Sequence, residues 1–408
     1  MTLDKSGELR HGWRNLAAAT IGLGLGIASY TPVSSLFFTE LEREFGWSKV
    51  AATGALIALP IAALVLPLAG WLIDRFGVRL VSGASAALAA ASYLWLSRMS
   101  GAAPEFYAAL IALNVLGCAT GPVAYTRLVA AQFSVSRGLA LAIAQFGIAF
   151  IAVLMPQLVG GMIAEYGWRG GYLFFAGATA VGAVGAQALM QPVPRVSAKN
   201  DKSGGTSART ALNSAGFWIL GFAILLISAA AFGLVAQFQP LLADRGLGTR
   251  AATILLSLLA VAVMLSRLIV GRLLDLAAPA RWAAAVMAIA ACGAALLWLG
   301  PTGLVVTTLA VALLGFSIGA ELDLMSFFCA RLFGIRHYAA IYGLLSMFFY
   351  AGIAIGGVGY GVSRSLTGSY AGGLFSSTLA LVAAAILFLF LGRQPMDMSG
   401  TGATHGAK

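Results

Sequence analysis

A chain of 408 residues that is 60% hydrophobic and 10% charged, with a mean hydropathy of +0.92, carries more apolar surface than a soluble core of that length can hide. Lipid is the solvent that tolerates it, and one crossing takes roughly 20 apolar residues. The net charge of +11 does not mark a nucleic-acid binder, because the bases stand singly between apolar runs and form no patch with interleaved aromatics.

Apolar runs punctuated by charge, Gly or Pro predict helices near 15–38, 50–73, 80–98, 105–131, 138–163, 170–190, 214–241, 252–274, 282–299, 303–330, 338–362 and 371–392. Helix is the expected form, since backbone groups in hydrocarbon must be satisfied within each span. The first run follows Lys5, Arg10 and Arg14 and is too long for a signal-peptide core, so it is expected to remain as a span. Its Gly22-Leu23-Gly24-Leu25-Gly26 lacks the preceding strand of a nucleotide-binding loop and is expected to serve close helix packing. Trp47 and Trp168, each in a Glu-aromatic-Gly-Trp run, are expected to anchor the outer interface. Residues 191–213, rich in Ser, Gly, Lys and Pro, have the composition of a flexible linker. They divide the chain into a bundle at 1–190, a cytoplasmic linker at 191–213, and a second bundle with a short tail at 214–408.

Loop charges support this count. With the N-terminus inside, 16 Lys and Arg fall on inner segments and 7 on outer ones, the asymmetry expected of a multi-pass inner-membrane protein with both termini cytoplasmic. Losing one span would reverse every later loop. Cys118, Cys292 and Cys329 lie apart in apolar runs and read as small buried residues, and three scattered histidines cannot build a metal site. No P-loop is present, so ATP is not expected as partner. No cofactor, enzymatic constellation or nucleic-acid partner is expected, and the chain is read as monomeric.

Gly70-Trp71-Leu72-Ile73-Asp74-Arg75-Phe76-Gly77-Val78-Arg79 puts three charges between two apolar spans, and Gly271 to Arg281 echoes it, with Asp275 lying 201 positions after Asp74. A shift of half the chain length indicates a parallel duplication. The stretch resembles the signature between the second and third helices of the major facilitator superfamily, with Gly70, Asp74, Arg75, Gly77 and Arg79 at its defining positions. The later copy keeps Gly271 and Asp275. This resemblance implies an all-α integral membrane fold of twelve transmembrane helices in two pseudo-symmetric six-helix bundles. It also implies that Asp74 helps hold an outward-facing state, with Arg127 as partner. A topology anchor alone would not need the acid.

A narrower resemblance is to the monocarboxylate-transporter-like branch. Phe133 to Ala140 followed by Gly147 resembles the start of its fifth helix, and Arg267 four residues before Gly271 resembles its eighth-helix arginine. Animal members often carry an acid where this chain has Val263, so any acid–base pair must be recruited elsewhere. A drug exporter would usually carry an arginine at Asn114, and Met155 to Gly161 only approximates that group's fifth-helix motif. Ile341 to Gly361 has no second cation for a dianion.

Ionisable residues inside spans cost at least roughly 2.5–3.5 kcal/mol and usually line a cavity. Arg267, Glu321 and Asp323 are the candidates, at similar depth, about 6, 6 and 9 Å inward of centre by helical rise. Glu321 and Asp323 point about 200° apart, and Asp323 is favoured as the acid facing Arg267. A guanidinium suits a carboxylate because it donates two parallel hydrogen bonds and keeps its charge. Protonation of the acid would release Arg267 to the substrate, coupling one proton to one monoanion; a permanent structural pair is the alternative. Tyr30, Thr31, Tyr125 and Tyr350 are expected to complete the pocket. The expected function is therefore secondary transport of a small organic anion, a monocarboxylate, with a proton by alternating access. The rival readings are export of an amphipathic compound or drug, and a transport-inactive receptor or scaffold.

Overall fold

A computed structural model describes residues 5–48, 58–192 and 205–393, and every element among them is helical. The first crossing is two helices, α1 (Lys5–Leu25) and α2 (Ser34–Phe45), bent by 44°. An unbroken helix was expected there. The break follows from Gly26, whose backbone is extended at ψ −167° and where a Cβ would collide with the Thr120 carbonyl. The Ile27 N–H freed by the break donates to Thr120 Oγ1 at 3.0 Å. Thr120 itself sits in a 3₁₀ turn, Cys118–Thr120, that divides the fourth crossing into α5 (Ala103–Gly117) and α6 (Pro122–Gln132). Two interruptions at one level thus satisfy each other, as backbone in hydrocarbon requires.

Between them lie α3 (Ala58–Phe76) and α4 (Val78–Ser97); residues 49–57, where the second span was expected to begin, are outside the described residues. The continuous α7 (Arg137–Leu189) has 53 residues, about 80 Å of helix, more than twice a bilayer core. Gly167, at φ 68° and ψ 179°, breaks it into two crossings. Trp168 beside it corrects the interfacial expectation. It is 2% exposed, packed edge-on to Tyr172, with its Nε1–H donated to Glu44 at 2.5 Å.

The second half begins with a short helix, α8 (Ala208–Leu212), whose first turn donates from the Thr210 N–H to Ser207 Oγ at 3.1 Å. The described end of the expected flexible linker is therefore ordered. Thr206 N–H donates to the Phe333 carbonyl at 3.0 Å, and Ala211 is fully buried. Residues 193–204 and the tail 394–408 lie outside the described residues. The remaining helices are α9 (Ala215–Ala236), α10 (Phe238–Asp244), α11 (Thr249–Leu274), α12 (Pro279–Leu299), α13 (Leu304–Phe333), α14 (Tyr338–Thr367) and α15 (Ala371–Leu391). Counting the bent pair once and α7 twice gives twelve crossings. Residues 5 and 393 then share one side, the terminal face below.

The helices form two six-crossing groups, α1–α7 and α9–α15, that meet chiefly through α3 against α14 and α7 against α11. Lipid gives helices no hydrophobic reason to associate, so close contact of small residues carries the packing. Gly24 lies against the Gly147 carbonyl, Gly356 against Ala229, and Gly319 against Val263. Large apolar side chains such as Leu64, Val184, Leu299 and Val305 face outward, where hydrocarbon meets them. At the echoed turns the backbone shares a positive φ. Gly77 has φ 92°, and 201 positions on Ala278 has φ 57°, the sole non-glycine of positive φ among the described residues. The two turns differ in ψ, 153° at Gly77 and 55° at Ala278, so the second copy makes a left-handed turn of its own without a glycine, at a cost of about 1–2 kcal/mol.

Candidate functional site

Two pseudo-symmetric contacts join the halves at the terminal face. Asp74, near the end of α3, pairs with Arg127 Nε at 2.6 Å. It also accepts the backbone N–H of Ala339 at 3.3 Å and of Ala340 at 2.9 Å. These donors belong to the first turn of α14, whose own N-cap, His337, offers no side-chain bond. A carboxylate there satisfies orphan donors and complements the helix dipole. Gly70, one turn earlier, allows the approach, since a Cβ would collide with the Ala339 carbonyl. In the second half Asp275 accepts from Gly138 N–H at 2.6 Å and Leu139 N–H at 3.0 Å, and Gly271 lies against the Gly138 carbonyl. Each acid caps a helix of the opposite half, so the terminal face is closed. Arg75 takes no part in this contact. It stacks over Trp71 at 5.1 Å and Phe76 at 5.4 Å. Arg79 is exposed, and its carbonyl accepts from Gln187 Nε2 at 2.8 Å.

Sequence reasoning missed a third acid here. Glu8 accepts the N–H groups of Ser134, Val135 and Ser136 at 2.6, 3.1 and 2.8 Å, and both serine hydroxyls. It therefore caps the approach to α7 from within the first half. Its signal was an acid among the bases that open the chain.

Deeper in the bundle, α11 and α13 bring Arg267 and Asp323 together, 6% and 0% exposed. Arg267 Nη1 stands 3.6 Å from Asp323 Oδ1, a Coulombic contact beyond good hydrogen-bond length. Glu321 turns toward α9, where it accepts from Ser228 Oγ, while the charge of Arg267 still acts on it. The near-opposite directions follow from two residues of helix. A partner that sequence reasoning did not single out comes from the other half: Gln145 of α7, fully buried, donates Nε2 to Asp323 Oδ1 at 2.5 Å. Arg267 Nε and Nη1, Asp323 Oδ2 and Gln145 Oε1 have no hydrogen-bond partner among the described residues. Buried polar atoms are almost always paired. Two free donors and two free acceptors on three touching side chains therefore mark a place with capacity for a further polar group.

The aromatic and hydroxyl residues expected in the pocket make no hydrogen bond to Arg267 or Asp323 among the described residues. Tyr30 lies in an aromatic cluster of the first half, 5.8 Å from Phe37 and 5.7 Å from Phe175 between ring centroids, with its hydroxyl 3.3 Å from that of Tyr172. Thr31 is exposed at the start of a 3₁₀ turn. Tyr125 is buried, its ring against Gly22 and its hydroxyl within reach of Ser82, inside the first half. Tyr350 is half-buried on α14 and close enough to Cys118 of the opposite half to interact electrostatically. Tyr342, also on α14, is buried with its hydroxyl within reach of Ser326, and it interacts electrostatically with Asp323.

Comparisons with known proteins agree with this geometry. The sequence profile described as Major Facilitator Superfamily matches residues 16–357. Monocarboxylate transporter 3 of Mus musculus is 32% identical over 170 residues, 41% of this chain and 34% of that protein, and the same protein of Rattus norvegicus matches equally. The match thus spans about a third of the length of these curated relatives. Among solved structures, the E. coli fucose:proton symporter FucP superposes with a TM-score of 0.73 at 15% identity, covering 94% of this chain and 99% of that one. The human organic anion transporter MFSD10 (TETRAN) superposes with a TM-score of 0.75 at 15% identity, covering 92% and 99%. At such identity these likenesses show the fold.

Proposed function

The chain belongs to the Major Facilitator Superfamily and is a multi-pass membrane transporter rather than an enzyme, and we propose that its cargo is a small organic anion, a monocarboxylate, moved together with a proton by alternating access. The observation that carries this reading is Arg267, a cation sunk among apolar helices with donors unspent and an acid 3.6 Å away. In a water-poor site a permanent cation requires an anion. Asp323 meets that need in the empty protein. A cargo carboxylate can take its place once Asp323 is protonated. The swap leaves the cluster's net charge unchanged, so a proton and a monoanion cross as a neutral set.

A single cation in the cluster favours monoacids over diacids. The mouse relative is a monocarboxylate transporter and the human structural neighbour an organic anion transporter, which accords with this. We also place both termini in the cytoplasm and the protein in the inner membrane, on the loop charges. The closed terminal face is then the cytoplasmic gate of an outward-facing state, with Asp74 and Asp275 as its latches, and the protein acts as a monomer built from the bundles 1–190 and 214–408.

The test is a thermal-shift screen of the purified protein against short mono- and dicarboxylates, since a ligand that binds only the folded state raises its melting temperature. Arg267→Lys and Arg267→Ala should abolish the response and, in proteoliposomes, the flux, while leaving the protein folded. Transport retained by Arg267→Ala would end the proposal.

A further inference from the structure

We propose that Gln145 is a positioning residue of the proton-linked step: its amide, reaching across from the opposite half, holds Asp323 and sets the pH at which Arg267 is released to an anion. This rests on the anion–proton reading above and adds to it a residue that neither family motif nor charge marks. The hydrogen bond to Asp323 comes from Gln145, at 2.5 Å, and not from Arg267, whose nearest nitrogen is 3.6 Å from the same oxygen. Asp323 is thus held structurally by the first half and electrostatically by the second.

A carboxamide suits that task because it is both donor and acceptor. Beside the carboxylate it donates Nε2–H, as observed. When a proton from water settles on Asp323, the neutral carboxyl becomes a donor. Gln145 Oε1, now unpartnered, can accept that O–H once the amide has turned over. Asp323 keeps one neutral partner in both protonation states, and only its attraction to Arg267 is lost. One O–H bond forms on loading, and the same bond breaks when the proton returns to water on the other side. The two unspent donors of Arg267 are then left to the anion.

The electrostatic surroundings of Asp323 are simple enough for the amide to matter. Arg267 of α11 is the charge acting on it, and the Tyr342 phenol of α14 interacts with it. Glu321, on Asp323's own helix, is hydrogen-bonded to Ser228 of α9 and, like Asp323, feels the charge of Arg267. The other helices packed on α13, namely α6 and α12, set no further charged group against it among the described residues. A leucine at position 145 would leave the carboxylate without its donor. The hydrogen bond to the charged form is the stronger of the two, so its loss favours protonation and moves the acid's titration upward.

The experiment is a pH titration of the full chain in nanodiscs, with acetate through hexanoate as probes, by calorimetry, together with ligand-free infrared detection of the protonated carboxyl. In the parent protein, anion affinity should tighten as pH falls, with one midpoint. Gln145→Leu should raise that midpoint and the infrared midpoint together by about 1 pH unit. Gln145→Asn, one methylene too short to reach, should behave the same way, and it stands in if the leucine variant does not fold. Gln145→Glu should weaken anion affinity at high pH by adding a negative charge. Folded variants whose midpoints stay at the parent value overturn the role of Gln145 while leaving the transport reading intact. A parent protein whose anion affinity ignores pH overturns the coupling reading itself.

Discussion

Replacing Asp74 by alanine should open the terminal face. The substitution removes a carboxylate whose side chain is 6% exposed, strands Arg127 at 20% exposure, and frees the Ala339 and Ala340 N–H groups. Breaking a buried pair from one side costs about 3–5 kcal/mol. Arg127 can regain some water, so the lower end, about 3 kcal/mol, is appropriate, and at 1.4 kcal/mol per decade that shifts the closed-to-open ratio about 10²-fold. Asp275→Ala should do less, about 1–2 kcal/mol, because Glu8 still caps the neighbouring residues 134–136. The chain holds its own reporter. Cys329 is fully buried, and its Sγ lies 3.7 Å from the Tyr338 carbonyl, beside the residues that Asp74 caps. In a Cys118→Ser, Cys292→Ser background, alkylation by a charged maleimide tracks the open fraction when reclosing outpaces reaction. The expected order of rates is Asp74→Ala, then Asp275→Ala, then parent. An Asp74→Ala rate within twofold of parent, in protein that unfolds at the parent temperature, would refute the latch.

Two further substitutions separate packing from chemistry. Gly70→Leu should raise Cys329 labelling as Asp74→Ala does, since any side chain there meets the Ala339 carbonyl, whereas Gly160→Ala, with nothing within 4 Å, should leave the rate unchanged. Ser228→Ala takes the donor from the fully buried Glu321 and should cost about 1–3 kcal/mol of stability, read by thermal unfolding. Anion affinity should change little, because the hydrogen bond that is lost faces α9 and the interaction of Glu321 with Arg267 remains; a lost affinity would mean that Glu321 belongs to the site.

What could be read from the residues, and what could not, divides along a physical line. Spans were legible because hydrocarbon demands long apolar runs, and only their ends were loose. The repeat was legible because Gly70 and Asp74 recur 201 positions later. Arg267 and Asp323 stood out because a charge in lipid is expensive, and helical rise set their depth. Contacts between helices were not legible. Gln145 is an uncharged amide in an apolar run and costs too little to stand out, although it is the group that touches Asp323 across the halves. The breaks at Gly26 and Thr120 were hidden because the chain has 50 glycines, and an interruption shows only when its partner is known. Tyr30 and Tyr125 carry a hydroxyl at a suitable depth, but the rotation of their helices, set by packing against Tyr172 and Gly22, turns them into the first half.

The pocket and the gate are tied by one surface. Gly138, Ala142 and Gln145 stand at i, i+4 and i+7 on α7, a single helical face. All three meet the second half: Gly138 at Asp275 and the Gly271 carbonyl, Ala142 at Gly271, Gln145 at Asp323. The first and last are about 10 Å apart along a rigid helix. A tilt of α7 that withdraws Gly138 from Asp275 pivots the helix on the glycine contact and must change the Gln145 to Asp323 distance as well. No chain of intermediaries is needed to carry the state of the acid to the terminal face. The same rigidity explains why the apolar contact between latch and amide is built of Gly and Ala: a larger side chain at 142 or 271 would hold α7 and α11 apart. The two polar contacts could then no longer be made at once.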